Sequence, residues 1–93
     1  MRQKLFTIDD VFDITGRGIV VTGELEPDSP SFKIGNTVVL TRPNDIELET
    51  EIDGIEHVKI IDVENFNPNK TGVMFKNVAK KDVPVGTDVF LKT

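Results

Sequence analysis

The stretch at residues 8–23 decides the fold: Ile-Asp-Asp-Val-Phe-Asp-Ile-Thr-Gly-Arg-Gly-Ile-Val-Val-Thr-Gly. Two runs rich in β-branched and aromatic residues flank Gly16-Arg17-Gly18, and residues of these types favour strands. Glycine adopts positive φ without steric cost, so two glycines at this point favour a tight turn. The stretch therefore predicts a β-hairpin whose turn presents Arg17.

Further strand-like segments follow along the chain, and turn residues separate them. They lie at residues 36–41, 46–53, 58–66, 72–76 and 87–91, and a single helical turn is predicted near residues 78–83. Six or seven short strands at intervals of roughly 8–12 residues indicate an all-β sandwich or closed barrel. In a chain of 93 residues, which allows one domain, closure into a barrel removes exposed strand edges.

The aromatic residues of this chain are all phenylalanines, and most are predicted to lie in the core. Phe6, Phe12, Phe75 and Phe90 are expected inside. Phe32 and Phe66 lie nearer loops and are expected to be half exposed.

The composition narrows the classes of function. The absence of cysteine excludes disulfides, thiol catalysis and thiolate metal sites. The chain has one histidine, and its two serines flank Pro30 in a turn-like stretch. We therefore expect a binding domain rather than an enzyme, with no cofactor. No apolar run approaches the roughly 20 residues of a membrane span, and the N-terminus lacks the apolar segment of a signal peptide. These features predict a cytoplasmic location and no membrane partner.

Charge is unevenly distributed along the sequence. The net charge is −5, but residues 45–64 carry eight acids and one base, a net charge of −7, which leaves +2 on the remainder. An acidic domain is repelled by phosphate backbones, because nucleic-acid affinity depends largely on lysine and arginine. General nucleic-acid binding is disfavoured, whereas local contact through the basic remainder stays open.

The acidic segment alternates apolar and acidic residues over positions 46–53, as a strand with one apolar face does. Its acidic face consists of Glu47, Glu49, Glu51 and Asp53. Three interpretations are open: a solvated face that blocks edge pairing, a docking strip for a basic protein, and a calcium site. The spacing of a calcium-binding EF-hand loop is absent.

Residues 8–23 resemble the opening of the second domain of elongation factor Tu, whose pattern I-[ED]-D-V-F-x-I-x-G-R-G-x-V-V-T-G they match throughout. Weaker similarity to the same domain continues at residues 33–38, 54–56, 72–78 and 81–89. The resemblance thus covers about residues 5–91. It implies a six-stranded closed Greek-key β-barrel, a single domain over residues 1–93.

The resemblance does not extend to the nucleotide-binding domain of these translational GTPases. A phosphate-binding G-x-x-x-x-G-K-[ST] loop is absent from the sequence. In the run Asn69-Lys70-Thr71-Gly72, glycine stands where the guanine-reading N-K-x-D motif has aspartate. The expectation is a barrel without its GTPase domain, either free-standing or part of a larger protein, that does not hydrolyse GTP by itself.

The resemblance also implies candidate binding residues. In the family, this barrel packs against the GTPase domain, binds the acceptor end of aminoacyl-tRNA and touches ribosomal RNA. Glu56 matches the glutamate against which the terminal adenine packs. Lys59 stands at the position of a family arginine, and Lys70 at that of an asparagine. Arg17 is kept in the turn that faces ribosomal RNA, whereas Glu24 replaces an arginine of the same hairpin.

Two functional hypotheses follow. The first is a non-enzymatic binding module of the translation apparatus that contacts the aminoacyl-tRNA end, ribosomal RNA or a translational GTPase. It would use Arg17, Glu56, Lys59 and Lys70. The alternative is a repurposed protein-interaction domain with no RNA role, whose acidic strand face binds a basic protein.

Overall fold

The fold is described by a computed structural model that covers residues 2–56 and 70–92. Its strands are β1 (Arg2–Ile14), β2 (Gly18–Leu25), β3 (Thr37–Thr41), β4 (Glu47–Glu51), β5 (Gly54–Glu56), β6 (Lys70–Phe75) and β7 (Asp88–Lys92). A 3-10 turn spans Lys80–Asp82, within the predicted helical turn. The all-β prediction is confirmed. The predicted segment at residues 58–66 lies outside the described residues, and in the described part no helix is long and apolar enough to cross a membrane.

The strands form one antiparallel sheet in the order β4-β3-β7-β1-β2-β6-β5. Among the described residues it has seven strands rather than six, because the alternating segment at residues 46–53 is interrupted between β4 and β5. At the interruption, the Ile52 N–H donates to the Asn36 carbonyl at 2.9 Å, whereas the Asp53 N–H donates to the Met74 carbonyl at 2.8 Å. Two consecutive residues, Ile52 and Asp53, thus form hydrogen bonds to segments at opposite ends of the sheet. No strand ladder joins β4 to β5 within the described ranges, and the closed six-stranded barrel stays a prediction.

The core lies on one face of this sheet. Its largest fully buried side chains include Phe6, Phe75, Leu5, Ile8, Leu40 and Ile52. Two of the predicted core phenylalanines, Phe6 and Phe75, are confirmed. The prediction for Phe90 is wrong, because Phe90 is only half-buried while its neighbours Val89 and Leu91 face the core. Phe32 is half-buried, as predicted, and packs against the core. Phe66 lies outside the described residues.

The prediction for Phe12 is wrong, since 47% of this residue is exposed. The β1–β2 register shifts between Ile8 and Asp10. Side chains alternate with period two, so one extra residue moves every later side chain to the other face. Val11 therefore enters the core in place of Phe12.

The turn between β1 and β2 has the predicted form. Gly16 has φ +80° and Gly18 has φ +142°, values that side-chain-bearing residues rarely adopt. The Arg17 N–H closes the turn by donating to the Ile14 carbonyl at 2.9 Å. A Cβ at Gly18 would also lie 2.8 Å from the Phe75 carbonyl oxygen. This geometry holds Arg17 at the tip of the hairpin, close to the end of β6.

Candidate functional site

An apolar surface lies on the outer side of β1, β2, β6 and β5. Phe12, Val20, Met74 and Gly54 are opposite one another in the strand ladders, and residues paired in this way share a face. Ile14 follows Phe12 on the same side of β1 and is 38% exposed. Val20 and Met74 are buried and form an apolar floor beside Phe12, on β2 and β6. We call this surface, together with Glu56 and Arg17, the hairpin face.

The next row of the ladders brings Glu56 onto the same face. Glu56 is opposite Gly72 on β6, and Gly72 is opposite Thr22 on β2. A Cβ at Gly72 would lie 3.1 Å from the Glu56 carbonyl oxygen, and one at Gly54 would lie 2.9 Å from the Met74 Cε. The two glycines therefore let β5 approach β6 closely, which places Glu56 beside the apolar floor.

Arg17 and Glu56, which were predicted separately, meet across this face. The Arg17 Nη2 lies 3.5 Å from the Glu56 Oε1, with the two side chains 63% and 40% exposed. An ion pair at such exposure contributes at most about 1 kcal/mol. Both groups can therefore exchange this contact for one with a ligand.

Lys70 lies on the same side of the sheet as Glu56. It is two residues from Gly72 on β6, which makes it a diagonal neighbour of Glu56. Its Nζ lies 3.3 Å from the Asp9 Oδ2, while the Thr22 hydroxyl donates to the Asp9 Oδ1 at 2.6 Å. Two of the four predicted binding residues, Glu56 and Lys70, thus lie on the neighbouring strands β5 and β6, and Arg17 reaches Glu56 from the β1–β2 turn. The fourth, Lys59, is outside the described residues.

The sequence did not reveal the apolar part of the hairpin face. Phe12 was assigned to the core, and Ile14, Val20 and Met74 gave no separate signal because alternation within a strand does not show which strands are neighbours. Pairing of β2 with β6 is needed to bring Met74 next to Val20. A periodicity analysis that allowed for a bulge after Ile8 would have moved Phe12 to the outer side.

Three of the four residues of the predicted acidic face, Glu47, Glu49 and Glu51, lie on β4 and are exposed, and two of them pair with the chain's own bases. Thr50, between Glu49 and Glu51, is buried. Arg2 binds Glu47 through both terminal guanidinium nitrogens, Nη1 and Nη2, with the Nη2–Oε1 pair at 3.0 Å. Lys92 binds Glu49 at 3.0 Å. The hydrogen bonds from Arg2 lower the pKa of Glu47 below its ordinary value.

Asp53 and Glu51, the other two acids of the predicted acidic face, have different contacts. The Asp53 Oδ2 accepts a hydrogen bond of 2.8 Å from the Lys76 backbone N–H, so its carboxylate ties the β4–β5 junction to the end of β6. Glu51 is exposed and forms no ion pair among the residues that the structure covers. Of the four predicted acids, Glu51 therefore offers the carboxylate with the fewest internal contacts.

Two observations concern known kinds of site and known families. Across residues 2–56 and 70–92, no group of three or more histidine, cysteine, aspartate or glutamate side chains is arranged to hold a metal ion. No protein-family model matches the chain.

Proposed function

We propose that this domain is a non-enzymatic binding module of the translation apparatus, whose hairpin face holds the single-stranded acceptor end of aminoacyl-tRNA. The observation that carries the proposal is that Arg17 of the β1–β2 turn contacts Glu56 of β5, while Lys70 of β6 lies diagonal to Glu56, beside exposed apolar side chains. The resemblance to the elongation factor Tu barrel points to the same positions: Glu56 matches the glutamate against which the terminal adenine packs, Lys70 replaces an asparagine of the tRNA-end site, and Arg17 is kept in the turn that faces ribosomal RNA.

The chemistry of the face suits an unstacked nucleotide. Proteins bind single-stranded RNA by packing a base on apolar or aromatic side chains and hydrogen-bonding its edges. Phe12 and Ile14 supply exposed apolar surface, and the Glu56 carboxylate can accept hydrogen bonds from an exocyclic amine or a ribose hydroxyl. Arg17 and Lys70 supply cations for phosphates. In the free domain each of these cations is paired with an exposed acid, Arg17 with Glu56 and Lys70 with Asp9. Phosphate contacts would share or replace these weak pairs.

The closed barrel belongs to the same proposal. Ile52 bonds toward β3 and Asp53 toward β6, so β4 and β5 act as one bent strand that belongs to both ends of the sheet. Counting them as one strand gives the six-stranded closed barrel that the resemblance implies. A closed sheet holds β5, and with it Glu56, in a fixed position beside β6.

The alternative function, a repurposed protein-interaction domain that binds a basic protein through β4, has weaker support. Arg2 and Lys92 already occupy Glu47 and Glu49. A basic partner would have to displace both before it gained contacts of its own.

The proposal is tested by fluorescence anisotropy with a labelled aminoacyl-tRNA, the same tRNA after deacylation, and the deacylated tRNA lacking its terminal adenosine. We expect binding that weakens with salt and requires the terminal adenosine. Arg17→Ala and Lys70→Ala should each weaken binding by roughly fivefold, as expected for loss of a phosphate contact. Lys33→Ala is the matched control, because Lys33 is an exposed cation in the loop before β3. Equal losses in all three variants, or indifference to the terminal adenosine, would contradict the proposal.

A further inference from the structure

A second concave surface lies away from the apolar floor of the hairpin face. It is an open groove of about 1100 Å³ between the paired ends of β1 and β2, the loop at residues 26–32, and Val85-Gly86. Pockets for drug-sized ligands span about 300–1,000 Å³. The groove is therefore large enough for a short segment of polypeptide. We call it the loop groove.

The walls of the loop groove are held by backbone hydrogen bonds. The Glu26 N–H donates to the Leu5 carbonyl and the Gly86 N–H to the Ile8 carbonyl, both at 2.8 Å. The Ser29 N–H donates to the Glu26 carbonyl at 2.9 Å, which closes a turn in the loop. Both walls are thus fixed to β1, and a ligand would enter a groove that already exists.

The lining combines apolar and acidic groups. Phe32 packs against the core and remains half-buried, while Val85 is 60% exposed. Three carboxylates, Asp9, Glu24 and Glu26, also line the groove, and no lysine or arginine does. The lining therefore complements a ligand that carries both cationic and apolar groups.

The carboxylates have room for further cationic partners. Lys4 reaches Glu26 at 3.0 Å and Lys70 reaches Asp9 at 3.3 Å, and both pairs are substantially exposed. Glu24 is exposed and forms no ion pair within the described ranges. An incoming cation can therefore contact Glu24 without displacing an internal ion pair, whereas at Glu26 and Asp9 it must share or exchange a weak exposed pair.

We propose that the loop groove binds an extended segment of a partner protein in which basic and apolar side chains alternate. Side chains on one face of an extended chain recur about every 7 Å, so cations can contact the acidic rim while apolar groups on the other side contact Val85 and Phe32. Nucleic acid does not fit this surface, because the three carboxylates repel phosphates. The occupant is distinct from the RNA end proposed above, although the two surfaces adjoin where Lys70 pairs with Asp9 and lies opposite Glu24.

Selection from a phage-displayed library of random nonapeptides tests this proposal without a known partner. We expect enrichment of sequences that alternate arginine or lysine with aliphatic residues. A selected peptide, synthesised and labelled, should lose affinity for the Glu24→Gln/Glu26→Gln double variant by roughly fivefold, the effect of two rim ion pairs. Val85→Asp should weaken binding as well. Glu51→Gln is the matched control, because it removes an exposed acid from β4, outside the groove.

The location is checked by amide chemical shifts, which should change at Ser29, Phe32 and Gly86 on addition of the peptide. Enrichment of peptides without basic residues would overturn the proposal, as would equal affinity for the double variant and the wild-type domain. Spermine is a second probe. If spermine competes fully and Val85→Asp changes nothing, the groove binds a soluble polycation and the peptide proposal is wrong. Failure of peptide binding leaves the aminoacyl-tRNA assay unaffected, so the two proposals can fail separately.

Discussion

Gly23 lies against the ring of Phe6, which occupies the space where a Cβ at residue 23 would lie. An alanine there would clash with the Phe6 ring and with the Thr7 carbonyl oxygen. Gly23 is also buried and paired with both β1 and β6, so neither neighbour can move away without loss of ladder hydrogen bonds. We expect Gly23→Ala to lower the free energy of unfolding by about 3 kcal/mol, the upper part of the range for an overpacked core. Urea denaturation followed by far-UV circular dichroism measures this loss.

A double-mutant cycle assigns that loss to Phe6. Phe6→Leu replaces the ring with a smaller aliphatic side chain. Gly23→Ala should therefore lower the free energy of unfolding by less in the Phe6→Leu background than in the wild type. Additive costs would contradict the assignment and would place the strain on the Thr7 carbonyl alone.

Phe12 illustrates the opposite case, a large apolar residue that the fold leaves outside. We expect Phe12→Ala to lower the free energy of unfolding by less than about 1 kcal/mol, whereas Phe6→Ala should cost about 3–5 kcal/mol, because Phe6 is fully buried. The same denaturation series measures both variants. A cost for Phe12→Ala that approached the cost for Phe6→Ala would mean that Phe12 is buried after all.

At the scale of elements, the sequence predicted where the strands lie better than it predicted which of their side chains face the core. The hairpin of β1 and β2 was recognisable because β-branched runs flank two glycines. The bulge after Ile8 was not, since its two exposed residues, Asp9 and Asp10, fit either face of a strand in the sequence pattern. Phe12 was therefore misplaced although its strand was identified correctly. Alternation in β4 was clear, because no bulge interrupts its pairing with β3.

The candidate site was predicted in part for a related reason. Arg17, Glu56 and Lys70 were identified singly, through the resemblance. Their proximity depends on the pairing of β6 with both β2 and β5, which is a property of three strands distant in sequence. The loop groove was not predicted at all, because its walls come from segments as far apart as Thr7 and Gly86.

The contact between Arg2 of β1 and Glu47 of β4 predicts a pH dependence of stability. Hydrogen bonding to Arg2 holds the pKa of Glu47 below its ordinary value of 4.5. A carboxyl whose pKa is lower in the folded state stabilises the fold above its unfolded pKa and loses that contribution as the pH falls through the folded pKa. Wild type should therefore exceed Glu47→Gln in unfolding free energy at pH 7, and the difference should vanish at low pH.

Urea denaturation of both proteins at pH 7 and at pH 3 or below measures this difference. Glu51→Gln is the control, because Glu51 forms no ion pair among the described residues and should show little difference from the wild type at pH 7. If the difference between wild type and Glu47→Gln persisted unchanged into acid, the Arg2–Glu47 contact would not be its source.

At the scale of the whole molecule, the question is whether the sheet ends or closes. An open sheet has β4 and β5 as free edges, and residues at free edges open locally at low cost. In the proposed barrel, residues 52–53 are the junction of one bent strand. The Ile52 and Asp53 amides, bonded to Asn36 and Met74, would then exchange only when much of the barrel opens. A closed barrel thus predicts slow hydrogen exchange at the amides of Ile52 and Asp53. In an open sheet these two amides would be among the least protected.

Native-state hydrogen exchange measured by NMR distinguishes the two cases. We expect the amides of Ile52 and Asp53 to exchange about as slowly as those in the interiors of β3 and β6. The amide of Ile46 is the internal reference, because it donates to the Asn44 side chain in an exposed turn and should exchange at least about tenfold faster. If Ile52 and Asp53 exchanged as fast as Ile46, the sheet would be open at this point. The position of Glu56, three residues beyond Asp53, would then vary with the opening of β5, and the hairpin face would not be preformed for a nucleotide.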